Sequence, residues 1–320
     1  LINHLNDLGR ALGHDPDGIN PSTGLHFSDY IDVDSWIDHH WLNIMVMNID
    51  WGRHSAFFHK DRGGKIVCGP VWDFDRALGC EDVRDDEPRA WEGVVNAVGT
   101  VSSKTWFDSR FPWYGDLLGP TADPARANYP DVRQRHTDRW FQLRKREFSI
   151  DHLHAVIDSM ADEIREAQGR NFVRWKQFPP NGGNFAEPGL TGWEAEVSHM
   201  KGWLVARTEW IDSQYLQPPA FNTAGGVIAR NFALVMGSPD GQVYYTVNGT
   251  DPRAPGGSPS SEAIPFAGGP VEETLIDVDA VCRYLVPSDG SLGLSWTQTA
   301  DAFDDSNWTQ AINGVGFESS

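Results

Sequence analysis

Three elements in close succession limit what this chain can fold into: a helical repeat ending at Asn48-Ile49-Asp50, a glycine-bearing reversal, and a second acidic element, Trp72-Asp73-Phe74-Asp75. From Asp34 to Asn48 the apolar residues Ile37, Trp41, Ile44 and Met45 recur at steps of three and four, which predicts a helix with one buried face. Asp32 or Asp34 is placed to cap it. Ala56 to Lys60 and Lys65 to Gly69 flank the turn Asp61-Arg62-Gly63-Gly64, a β-hairpin pattern in which the glycines supply the positive φ angles of a tight reversal. The hairpin returns the chain toward the helix end, so Asp73 and Asp75 are expected near Asp50. In an extended chain alternate side chains face opposite ways, so Asp73 and Asp75 meet only if the backbone turns between them.

Further helices are expected over Asp131 to Lys145, Ser149 to Arg174 and Gly192 to Tyr215, with apolar positions such as Trp140, Leu143, Leu153, Val156, Ile157, Met160, Ile164, Trp203 and Leu204. At Gln217-Pro218-Pro219 helical periodicity gives way to short alternating segments with turn residues, marking a boundary. Gln242 to Val247 followed by Asn248-Gly249 reads as a strand entering a hairpin turn.

With 45 acidic and 26 basic residues the net charge is −19, which argues against nucleic acid or an anionic membrane as the partner. No apolar run reaches the roughly 20 residues of a membrane span. Cys68, Cys80 and Cys282 lack CxxC or zinc-site spacing; Cys68 and Cys80 flank the acidic element and could pair, but read first as two small buried residues. His39, His40 and His136 show no zincin spacing, and neither a G-x-S-x-G elbow nor a P-loop occurs. Asp82, Arg84, Asp85 and Asp86 read first as a solvated charged loop, with the shaping of a metal site or peptide-binding rim as the alternative.

Carboxylates delivered by a helix end and a hairpin suit phosphoryl transfer. One orients and deprotonates the attacking hydroxyl, and others hold the divalent cations that neutralise the phosphates. In protein kinases a catalytic loop, a hairpin and D-F-G come in this order. Here Asn48-Ile49-Asp50 and Gly69-Pro70-Val71-Trp72-Asp73-Phe74-Asp75, with trailing helices bearing Arg139-Trp140, Arg170-Asn171 and Trp203 to Trp210, resemble the CotH kinase family over about Tyr30 to Tyr215. The resemblance implies an α+β fold: a mainly helical, protein-kinase-like C-lobe carrying a catalytic β-hairpin, followed by a small β-sandwich-like module. Residues before Asp32 read as irregular, so the N-lobe with its nucleotide lid is expected to be largely missing. By the same resemblance Asp50 is catalytic, Asp73 binds metal with Asp75 and Ser55 as supporting ligands, and Asn48 and His54 lie beside the cofactor. The implied cofactors are ATP and Mg²⁺ or Mn²⁺, and the implied acceptor is a Ser or Thr of a secreted or surface protein.

Val243 to Arg253 resembles a chitobiase-type β module, and Trp296 to Phe317 resembles the opening of a jelly-roll, galactose-binding-like module. The expected division is 1–216, 217–285 and 286–320, in a secreted or cell-surface protein. Two alternatives stand beside the kinase. His54 and Ser55, where the family often places an Asn, fit a catalytically degenerate scaffold whose β modules grip a cell-surface glycan. Paired carboxylates and 14 tryptophans fit a glycoside hydrolase, which needs two carboxyl groups about 5–9 Å apart.

Overall fold

The residues before Asp32, expected to be irregular, instead form helix α1 (Ile2–His14) and the short helix α2 (Phe27–Tyr30). The physical reason is a stripe that short windows miss: Leu5, Leu8, Ala11 and Leu12 share one face and pack into the core. The Tyr129 hydroxyl donates to the carbonyls of Ala11 (3.2 Å) and Leu12 (3.0 Å), supplying partners where the helix ends. The computed structural model describes residues 2–14, 17–51, 55–79, 85–91, 113, 117, 129–175, 192–223, 225–267, 280–289 and 304–312.

Helix α3 (Val33–Val46) is the centre of the fold, and Asp32 caps it by accepting the Ser35 amide at 2.9 Å. Strands β1 (Phe58–Lys60) and β2 (Ile66–Cys68) form the expected antiparallel hairpin, with Phe58 opposite Cys68 and Lys60 opposite Ile66. The hairpin is fastened to α3 by hydrogen bonds from Trp36 Nε1 and the Asp32 amide to the Ile66 carbonyl (3.2 and 2.9 Å). A further bond runs from the Cys68 amide to Ser35 Oγ at 3.2 Å. Cys68 is half-buried, and Cys80 lies outside the described residues.

Helices α4 (Pro130–Arg144), α5 (Ile150–Arg174) and α6 (Trp193–Asp212) follow close to their expected bounds. Tryptophans knit them to α3. Trp41 stacks on His136 with centroids 4.0 Å apart and donates to its carbonyl at 2.7 Å. Trp140 Nε1 and the Arg144 guanidinium both bond the Asp212 carboxylate, joining α4 to α6. On α5 the apolar positions divide: Leu153, Ile157 and Ala161 turn inward, while Val156, Met160 and Ile164 are exposed.

Beyond α6 the strands are short. Ladders β3 (Ala220–Phe221) with β4 (Met236–Gly237), β5 (Tyr244–Tyr245) with β6 (Ile264–Pro265), and β7 (Val281–Tyr284) with β8 (Thr309–Ile312) account for them among the described residues. The expected hairpin across Asn248-Gly249 does not form; Tyr244 and Tyr245 pair with Pro265 and Ile264 instead. Pro252 follows the turn without an amide to donate. Arg253 beyond it reaches α4, bonding both oxygens of Asp138 at 2.7 and 2.8 Å. Residues 1–220 with 237–266 form one compact unit, and 221–236 with 267–320 a second. No helix among the described residues is long and apolar enough to cross a membrane.

Three histidines are sealed in the first unit. His136 Nε2 and His40 Nδ1 lie 2.9 Å apart, and His39 Nδ1 accepts Trp51 Nε1 at 3.2 Å. Burial pulls His39 down to about 4, burial and then the nearby His39 pull His40 down to about 3, and burial first pulls His136 well below 6.5. The unfolded chain takes up these protons near pH 6.5 while the folded chain stays neutral, so stability falls as pH drops below 6.5 toward 4. Each histidine adds a slope of up to about 1.4 kcal/mol per pH unit in that window. Urea denaturation at pH 7 and pH 5 checks this: a clear loss at pH 5, reduced in His40→Gln, is expected, and equal stability at both pH values contradicts it.

Candidate active site

The site is built on the last turn of α3. Met47 adopts a left-handed conformation (φ 52°), which ends the helix, and its amide bonds back to Asn43 and Ile44. The chain then leaves as Asn48-Ile49-Asp50. Ile49 is buried, while Asp50 stays partly open. Asn48 is buried and fully used. Its amide nitrogen donates to Asn43 Oδ1 (3.2 Å) and to the Asp73 carbonyl (3.3 Å), and its oxygen accepts the Asp50 amide (3.2 Å). One side chain therefore joins the helix end, the Asp50 backbone and the strand exit.

The returning chain is fixed at the same place. The Leu78 amide donates to the Val46 carbonyl at 2.8 Å. Arg207 of α6 is wholly buried and donates to the carbonyls of Ile44 (2.7 Å), Pro88 (3.0 Å) and Ala90. Burial lowers its guanidinium to about 9, so it remains a cation at neutral pH, held between Trp203 and Trp210. A cation at a helix C-terminus complements the partial negative charge gathered there. Gly79 passes so close to Trp203 that a Cβ would stand 2.5 Å from the indole.

Between these anchors lies the acidic turn. Asp73 has φ 68°, a left-handed conformation that Asp tolerates better than most residues. This is the turn that alternation along a strand demanded, and it lets the Asp73 and Asp75 carboxyls hydrogen-bond to each other. Local desolvation, that hydrogen bond and the charges of Asp73 and Asp50 push the Asp75 carboxyl up. Ser55 Oγ donates to Asp73 Oδ2 at 3.0 Å. The Asp50 carboxylate is held by Arg76, whose Nη1 lies 3.3 Å from both oxygens. Exposed Trp72 and Phe57 meet edge to face beside Asp73.

Of the residues singled out from sequence, Asn48, Asp50, Ser55, Asp73 and Asp75 are thus brought together, and His54 lies outside the described residues. Asp85, read as part of a solvated loop, is fully buried, because its carbonyl accepts Trp203 Nε1 at 2.9 Å and draws that stretch inward. Asp82 and Arg84 are outside the described residues. Sequence reasoning missed Asn43, Arg76, Gly79 and Arg207. Of these, Gly79 carried a faint signal, a glycine close behind an acidic turn; the others act through partners distant in sequence.

The donor set fits a hard divalent cation. Asp73, Asp75 and Ser55 offer only oxygen, the ligand type magnesium and manganese prefer. Neighbouring carboxyls also mark a place where a cation would relieve like-charge repulsion. Among the described residues no three acidic, histidine or cysteine side chains already form a complete cage, since Asp50 is turned to Arg76.

The family model for CotH kinase protein matches residues 5–211, and the chain belongs to the CotH kinase family. Comparison with curated proteins and with solved structures gives no match.

The contact between the acidic turn and α6 is open to direct test. Gly63 and Gly79 both have positive φ, but a Cβ meets nothing within 4 Å at Gly63 and meets Trp203 at Gly79. Gly63→Ala is expected to lose about 1 kcal/mol from backbone conformation alone, and Gly79→Ala about 2–4 kcal/mol because overpacking adds to it. Urea titrations of the two variants measure the difference; equal losses contradict the packing described.

Proposed function

We propose that this member of the CotH kinase family transfers the γ-phosphoryl group of ATP to a Ser or Thr hydroxyl of a protein. Bound Mg²⁺ or Mn²⁺ would neutralise charge on the β- and γ-phosphates. Asp73 and Asp75 are the residues to hold it, with the Ser55 hydroxyl beside them. Asp50 orients the acceptor hydroxyl and takes its proton. The observation that carries this reading is the Asn48 side chain, which bonds the Asp73 carbonyl and the Asp50 amide at once and so sets base and cation ligand in fixed relation. On this reading the layout is that of a protein-kinase C-lobe, and the β1–β2 hairpin between the two loops supports it. The place of His54 beside the nucleotide rests on the family resemblance.

The β-rich residues after Gln217 are read as a chitobiase-type module over 217–285 and the start of a galactose-binding-like module from 286. That reading puts the protein outside the cell or on its surface, with a secreted protein as acceptor. A non-catalytic scaffold that contacts glycan is the second reading. It is favoured by Ser55, whose hydroxyl donates to Asp73 where the family often supplies an amide oxygen to metal.

Radiolabelled ATP incubated with the protein and candidate acceptors separates the two, since phosphate on Ser or Thr excludes the scaffold. Calorimetry with Mn²⁺-ATP then assigns the residues. Asp73→Ala is expected to abolish binding, whereas Asp50→Asn retains binding and loses about 10²–10⁴ in transfer rate, the usual worth of a general base. Unchanged binding in Asp73→Ala, or unchanged transfer in Asp50→Asn, overturns the corresponding role.

A further inference from the structure

We propose that Arg76 is the positioning residue for Asp50, fixing the carboxylate in the orientation from which it meets an acceptor hydroxyl; this rests on the kinase reading above. The Asp50 backbone is set by Asn48, but that bond leaves its side chain three staggered χ1 choices. Arg76 removes the choice. Its Nη1 lies 3.3 Å from both oxygens, across 26 residues of sequence. The two side chains are only 26% and 20% exposed, where a charge pair is screened less than on the open surface.

Arg76 directly follows Asp75, so the same turn that presents the cation ligands also presents the group that aims the base. Asn48 to Asp73 and Arg76 to Asp50 are two separate ties between the loops, one through backbone and one through side chain. Without Arg76, the like charges of Asp73 and Asp75 are left to drive Asp50 away from them. Pairing does not block the proposed chemistry, because an ionised carboxylate has about four lone-pair sites and Arg76 takes one on each oxygen. In the transfer, the acceptor oxygen bonds to the γ-phosphorus while the bond from phosphorus to the β,γ-bridging oxygen breaks. The electron pair leaves on ADP, and the hydroxyl proton passes to Asp50.

The role separates from simple scaffolding in steady-state kinetics and Mn²⁺-ATP calorimetry on the full chain and its variants. Arg76→Gln is expected to lower kcat about 10- to 100-fold, the range for a misaimed group, with Mn²⁺-ATP affinity unchanged. Arg76→Lys recovers part of the rate, since the contact is made through one nitrogen, Nη1, and an ammonium keeps the charge pairing on a shorter stem. Asp50→Asn with Arg76→Gln is expected to be no slower than Asp50→Asn alone, because both act through one carboxylate. Full activity in Arg76→Gln, additive losses in the double variant, or loss of nucleotide binding together with rate overturns the proposal. A wild-type chain that binds Mn²⁺-ATP but transfers no phosphate overturns the kinase reading, and this role with it. That failure is recognised in the wild type, before any variant is compared.

Discussion

Arg207 is buried in full, and what it does there is satisfy carbonyls: Ile44 in the last turn of α3, and Pro88 and Ala90 in the chain that follows the acidic turn. A helix ends with carbonyls that lack intrahelical partners, and in a dry interior each must find one. Here a guanidinium from α6, the Leu78 amide and the left-handed cap at Met47 share that task. The consequence is positional. Asn48-Ile49-Asp50 leaves from a helix end that cannot drift, and Trp72-Asp73-Phe74-Asp75 returns to the same end. An apolar residue at 207 leaves several buried carbonyls without donors, each a loss of about 1–3 kcal/mol.

The chemistry rests on the opposite imbalance. Around Asp73 the carboxyls outnumber their cationic partners; Arg76 takes Asp50, and Asp73 and Asp75 share a hydrogen bond. Asp73 holds a left-handed backbone to make that contact, a conformation that costs about 1–3 kcal/mol and survives where surrounding structure dictates it. The β1–β2 hairpin and the Leu78 bond to Val46 dictate it from either side. The proposed division of metal holding from proton handling is drawn from this arrangement, an all-oxygen pair on one loop and a separately held third carboxylate on the other.

What could be read in the sequence was whatever repeats. Helices α3 to α6 and the β1–β2 hairpin show in hydrophobic period and turn glycines, and the hairpin topology alone implied that Asp73 returns to Asp50. Even the need for a backbone turn at Asp73 followed from strand alternation. Single long-range partners stayed hidden. Arg207 lies 163 residues from Ile44 and Arg76 lies 26 from Asp50, and nothing local distinguishes either from a solvated arginine. Helix α1 was missed because its apolar face, Leu5, Leu8, Ala11 and Leu12, is short and sparse among polar residues. The Asn248-Gly249 turn signal was not followed by a returning strand, because Pro252 just beyond it has no amide to donate and Tyr244 and Tyr245 find Pro265 and Ile264 instead.

The central claim is that the two loops meeting at the α3 terminus make one cation site serving phosphoryl transfer. Crystals grown with Mn²⁺ and a non-hydrolysable ATP analogue test it by anomalous scattering at the manganese edge. The expected result is a peak between the Asp73 and Asp75 carboxylates, on the phosphate oxygens, with Asp50 outside the coordination sphere and still paired to Arg76. A peak elsewhere, or none while Asp73 remains bonded to Ser55 and Asp75, contradicts the account.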